Sequence, residues 1–210
     1  MAITLLGGGG IGVGHDPDFA TDGVPDNSLV ICFMGTAGDG NYGAGTPSGW
    51  TRPDYTQTSA GCGGWYYKHM TGAADGVTDW TANGSVLALS WIAITGMDID
   101  TFEEVGNQTE NPSSLTHSLG ALGSGDLWVC GIGGGKPGTT GNQTPSGWTN
   151  IDAQHQGGWG AAAQVCYKWG TDSDTENPGD MWNGTMSGLE VSATIGIFAA
   201  ASGSITLVTV

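Results

Sequence analysis

The sequence predicts an all-β protein, a duplicated antiparallel β-sandwich of jelly-roll-like character with two similar repeats packed together. Three observations carry this. Glycine supplies 40 of the 210 residues and only 11% are charged, so solubility rests on Gly, Ser, Thr, Asn and Asp. These residues suit turns and strands better than helix interiors. No window sustains a 3.6-residue apolar period free of Gly or β-branched residues, so no helix is expected. Finally, the hexapeptide TPSGWT occurs twice, at residues 46–51 and 144–149.

The repeat extends well beyond the hexapeptide. At the same offset of 98, Leu29 matches Leu127, Ile31 matches Val129, Cys32 matches Cys130 and Gly35 matches Gly133. Tyr67-Lys68 then matches Tyr167-Lys168 at an offset of 100, and Trp80 matches Trp182 at 102. Offsets that grow in small steps are what loop insertions between matching strands produce.

Each copy follows one plan. An apolar strand (residues 29–35; 127–133) enters a Gly-rich loop. A turn follows, with Pro47 or Pro145 expected at its second position and Gly49 or Gly147 at its fourth, a type I pattern. Trp50 or Trp148 opens the next strand as a large apolar anchor. A Tyr-rich strand (64–70; 164–169), a short element at Trp80 or Trp182 and an Asn-Gly turn lead to a long strand (86–95; 191–200). Pro47, Gly49, Trp50, Tyr67 and Trp80, with Pro145, Gly147, Trp148, Tyr167 and Trp182, are therefore expected to be structural.

The domain division that follows is an N-terminal β-like arm (1–22), repeat one (23–104), an acidic connector (105–112) and repeat two (113–210). Pattern alone leaves open whether the repeats are two packed sandwiches or one interleaved sandwich. The Gly run at residues 7–14 lacks the helix a dinucleotide fingerprint needs, and reads as an extended arm. Ile3, Leu5 and Leu6 are candidate assembly residues on that arm, and residues 204–210 (SITLVTV) are β-like too.

Charge narrows the function classes. Arg52, Lys68, Lys136 and Lys168 face 20 acidic residues, a net charge of −16. No basic stripe exists to neutralise phosphates, which argues against nucleic acid, and anionic membranes are disfavoured alike. Loop aspartates are the residue type that ligates Ca²⁺, but no spacing singles out a site. No metal or other cofactor is expected. His15, His69, His117 and His155 are scattered, and the four cysteines form no CxxC or CxxH. Ser48 and Ser146 miss the G-x-S-x-G elbow, and no nucleophile–base pair emerges, so the expectation is no enzyme.

No basic leader with an apolar core precedes the first Gly run, and the expected setting is a virion protein made in the host cytoplasm. Trp65, Trp159 and Trp169 have no counterpart in the other copy and lie beside Gly-rich stretches. They are the candidates for stacking on a glycan.

Pro47-Ser48-Gly49-Trp50-Thr51 with Tyr67-Lys68, and Pro145-Ser146-Gly147-Trp148-Thr149 with Tyr167-Lys168, carry a resemblance. With their flanking strands, spanning residues 26–200, they resemble a group of phage and phage-like β-sandwich virion surface proteins. The resemblance implies a non-enzymatic structural protein of a tailed-phage virion, decorating or cementing the capsid exterior or forming part of the tail. It implies other virion proteins as partners and a homo-oligomer, and no catalytic residues. The alternative is a glycan-binding adhesin or receptor-binding module whose partner is a host surface glycan.

Overall fold

The computed structural model describes residues 4–13, 17–37, 46–58, 61–70, 86–98, 102–109, 122–123, 125–135, 141–155, 160–171, 178–179, 181 and 190–197. Among them are ten strands and no helix. The first sheet comprises β1 (Thr4–Val13), β2 (Leu29–Ala37), β3 (Thr51–Thr58), β4 (Gly61–His69) and β5 (Val86–Thr95). The second comprises β6 (Phe102–Thr109), β7 (Leu127–Gly135), β8 (Thr149–His155), β9 (Ala161–Trp169) and β10 (Glu190–Ile197). Both are antiparallel, in the orders β1-β5-β2-β4-β3 and β6-β10-β7-β9-β8. The second order is the first advanced by five strands.

Each half of the chain thus supplies one sheet, and the sandwich forms between the halves. The sequence pattern leaves open whether each repeat makes a sandwich of its own. The reason for the shared one lies in strands such as β2, which have two apolar faces. Leu29, Ile31 and Phe33 join the cluster between the sheets, while Val30, Cys32 and Met34 join a second cluster on the outside. A strand apolar on both faces reads as a continuous run, as LVICFM does, and its sheet needs a cover on each side. The opposing sheet covers the inner face. Loops cover the outer ones, with Phe19, Val24 and Trp50 on the first sheet and Leu122, Trp148 and Met181 on the second.

Across the sandwich β2 and β7 run in the same direction. A Cβ on Gly133 would collide with Met34, one on Gly35 with Gly134, and one on Gly135 with Thr36, so matched positions advance together. At this end the sheets touch backbone to backbone, with Ala88, Ala161 and Ala163 filling what remains. At the other end Leu29, Phe33, Trp65, Ile94, Leu127, Val165 and Ile197 occupy the gap. Side chains of that size hold stacked sheets about 10 Å apart. The sandwich is therefore a wedge, narrow where β2 and β7 end and wide where they begin. Each large apolar side chain buried at the wide end contributes roughly 1.5–3 kcal/mol, so within the gap between the sheets the hydrophobic stabilisation is concentrated there.

Two expectations change. The N-terminal segment is an edge strand, because β1 pairs with β5 through all ten residues, from Thr4 opposite Thr95 to Val13 opposite Val86. Leu6 packs on the outer cluster and Leu5 on the inner one, so these residues belong to the sheet. Ile3 lies outside the described residues. Likewise, the stretch read as an acidic connector is largely β6, which pairs with β10. The Gly run becomes a strand because absent side chains make room. A Cβ on Gly7 would strike Ile151, and one on Gly9 would strike Asp152, both on β8 of the opposite sheet.

Candidate functional site

The twice-used hexapeptide forms the same object in both sheets. The Trp50 N–H donates to the Pro47 carbonyl at 3.1 Å, and the Trp148 N–H to that of Pro145 at 3.1 Å. Gly49 and Gly147 have φ of 80° and 81°. Pro therefore occupies the first turn position and Gly the third, where a type II turn needs a positive φ. The expected type I frame was displaced by one residue because glycine, and not proline, is the residue the turn depends on.

The turn drives Trp50 and Trp148, each 7% exposed, into the outer face of its own sheet. Trp50 meets Phe19 with ring centroids 5.5 Å apart. The next residue, Thr51 or Thr149, pairs across the sheet with Tyr67 or Tyr167. A bulge follows in both copies, between Thr51 and Asp54 and between Asn150 and Asp152. P-S-G-W-T and Y-K, distant in sequence, are thus one cross-strand unit. In the first sheet the Lys68 side chain also lies over the turn, so that a Cβ on Gly49 would meet its Nζ at 3.2 Å. Over Gly147 none of the described residues lies within 4 Å.

The aromatic candidates separate by strand position. On the inner face of the first sheet Phe33, Trp65, Tyr67 and His69 follow one another at centroid spacings of 6.2, 5.9 and 6.0 Å. The ladder climbs from the core to the wide end. Trp65 lies inside it at 0% exposure, which removes it as a sugar-stacking residue. Among the described residues its Nε1 has no hydrogen-bond acceptor, so its place there is set by packing.

On the second sheet Tyr167 and Trp169 make an edge-on pair at 6.4 Å. Trp169, the last residue of β9, is 41% exposed. Its partner in the pairing is Leu127, the first residue of β7, which places it at the wide end, as pairing with Leu29 does for His69. The candidate site is the wide end itself, where Tyr167 and Trp169 close the second sheet and Tyr67 and His69 close the first. Rings presented edge-on with one face towards water can stack on an apolar sugar face or on another protein's side chain. Trp80, Trp159 and Trp182 lie outside the described residues.

Polar groups elsewhere serve local structure. Between the sheets, the Ser90 hydroxyl donates to Asp152 at 2.6 Å and the Gln154 amide donates to the same carboxylate at 3.0 Å. On the loop before β2, the Asp18 carboxylate accepts from the Thr21 N–H at 3.0 Å and the Thr21 hydroxyl at 2.9 Å. These bonds, the backbone one foremost, hold its carboxyl below the usual range. The four cysteines form no disulfide and are buried, and burial pushes the Cys32 thiol well up. Among the described residues, no group of three or more His, Cys, Asp or Glu is placed to hold a metal ion. Comparison with protein-family models, with curated proteins and with solved structures finds no match.

Proposed function

We infer that the chain is a non-enzymatic structural protein of a tailed-phage virion, decorating or cementing the capsid exterior or forming part of the tail. Its two halves are copies of one duplicated unit, each supplying one sheet. The observation that supports this most is the cross-strand unit of P-S-G-W-T and Y-K, which recurs at equal positions in both sheets. These are the residues that carry the resemblance to virion surface proteins, and their role here is to plug and brace a sheet. A chain that uses its repeated motif as scaffold leaves its surfaces and edges to do the work. Its partners are then other virion proteins, with copies of itself among them.

The test is immunogold labelling and mass spectrometry of purified particles from cells that make the protein. Stoichiometric recovery on capsids or tails is the expected outcome. Protein confined to the particle-free supernatant overturns the reading.

One observation favours a second reading, in which the chain binds a surface glycan. Trp169 is a large aromatic held 41% exposed on a rigid strand end. A glycan array probed with the protein and with Trp169→Ala decides it. Binding that the substitution removes supports an adhesin, and an empty array dismisses one.

A further inference from the structure

Among the described residues, four strands lie at sheet edges: β1, β3, β6 and β8. An open edge is a template for pairing with another chain, and proteins normally blunt it with charge, proline or a bulge. Three of the four are blunted. β3 carries Arg52, Pro53 and a register break between Thr51 and Asp54. β8 carries Asp152 and a break between Asn150 and Asp152. The pairing of β6 shifts register between Ser192 and Thr194.

β1 has none of these devices. It is ten residues long, uncharged, without proline and paired to β5 in unbroken register. Glycines at positions 7–10 leave its backbone without side chains to screen it. It also lies close against the other sheet, since Gly7 and Gly9 seat directly on Ile151 and Asp152.

Beside this edge lies a cleft of about 360 Å³, lined by Gly7–Gly9, Pro17, Asp18, Asp22 and Trp91. Trp91, 3% exposed, lies beneath the strand, and Gly8 makes this possible, since a Cβ there would stand 3.2 Å from the indole. The cleft combines two carboxylates with an aromatic wall, the environment that suits a lysine or arginine head group. The whole chain carries a net charge of −16, which attracts a basic partner and repels a second copy.

We propose that the open edge of β1 is a docking strand for an extended, basic segment of another protein. The segment adds to the first sheet as a further strand through backbone hydrogen bonds, the usual source of affinity in strand addition. One lysine or arginine side chain enters the cleft against Asp18, Asp22 and Trp91 and supplies the selectivity. The proposal stands on the edge and the cleft, and does not require the virion reading.

The test is selection of a displayed random decapeptide library on the full chain. Enriched peptides are expected to combine β-branched residues with a lysine or arginine. Synthetic copies should bind at least tenfold more weakly to the Asp18→Asn/Asp22→Asn protein, and weaken as salt is raised. N-methylation of alternate backbone amides in the peptide should cost at least tenfold as well. Binding should slow amide exchange along Thr4–Val13. Because Asp18 also holds its own loop, Asp22→Asn alone serves as the variant that leaves the loop intact, and it should weaken binding in the same direction.

The proposal is overturned if nothing is enriched, if the enriched peptides lack a basic residue, or if they bind the double variant as well as the parent. Harmless N-methylation overturns it too. So does self-association of the chain in sedimentation with β1 amides protected before peptide is added, which would give the edge to a second copy.

Discussion

Where β2 and β7 begin, Phe33, Trp65, Ile94 and their counterparts fill a gap between the sheets; where the same strands end, Gly35, Gly133 and Gly135 leave no gap to fill. One end is stabilised by volume taken from water, the other by backbone surfaces in direct contact. The two respond oppositely to substitution. The wide end is weakened by anything smaller, and the narrow end by anything larger. Both ends belong to the same strands, so the difference comes from side chains alone.

The largest expected effect is at the wide end. Trp65 is fully buried between the sheets, stacked on Phe33 at 6.2 Å. Trp65→Ala should lower the unfolding free energy by about 3–5 kcal/mol in a denaturant titration. Trp65→Phe should cost far less, about 1 kcal/mol, because the indole that is lost carries a buried N–H with no acceptor among the described residues. If Trp65→Ala costs under about 1 kcal/mol, the sheets can close on the space and the wedge is not held open by volume.

At the narrow end the telling substitution is an addition. A Cβ on Gly133 would run into the main chain of Met34, whose amide nitrogen would lie 2.7 Å away. Backbone cannot rotate aside as a side chain can, so Gly133→Ala should cost about 3 kcal/mol, the upper end for overpacking. Gly147→Ala is the control. Its φ is 81° but none of the described residues lies within 4 Å of the added carbon, so the left-handed conformation is what is penalised, by about 1 kcal/mol. Equal losses at the two positions would show that the narrow end is not in backbone contact.

How much of this was legible beforehand follows from the same contrast. Strands buried on both faces announce themselves as apolar runs. The expected 29–35, 127–133 and 86–95 became Leu29–Ala37, Leu127–Gly135 and Val86–Thr95. The edge strands β1 and β6 were hidden for opposite reasons. β1 is largely glycine and has no side-chain period to read, whereas the glutamates in the sequence of β6 read like those of a solvated loop. Nor could pattern show that the halves share one sandwich, because that depends on which sheet covers which face.

The aromatic site was partly readable. Trp65 and Trp169 both stand near Gly-rich stretches, yet Trp65 sits mid-strand on the inner face and Trp169 at a strand end. That distinction is a matter of register, fixed only when β9 pairs with β7.

A link between the sheets is the Ser90–Asp152 hydrogen bond, which crosses from β5 to β8 at 2.6 Å. Ser90→Ala removes the donor and leaves Asp152 with Gln154. A hydrogen bond to a charged group is worth about 1.5–3 kcal/mol when lost outright, and the remaining partner should hold the loss near 1.5 kcal/mol. A thermal melt of the variant, compared with that of Gln154→Ala, measures how the clip divides between the two donors.

The smallest effect lies on neither end, and it checks that the ends are independent of the loops outside them. Asp18 anchors the loop that lays Phe19 on Trp50 and Trp91, and its carboxyl is held below the usual range mainly by the Thr21 N–H and then by the Thr21 hydroxyl. A depressed carboxyl contributes stability that is present above its unfolded value and is lost as pH falls through the folded one. Acidification below the ordinary carboxylate range should therefore loosen this loop first. Amide exchange at Thr21 should speed up, and the tryptophan fluorescence should shift as Phe19 leaves Trp91, while β2 and β7 amides stay protected. Thr21→Ala removes the hydroxyl donor but keeps the N–H, so the same change should begin at a somewhat higher pH. A simultaneous loss of protection in β2 would mean that the outer cover and the inner core open as one unit, and that the wedge depends on its loops as much as on its ends.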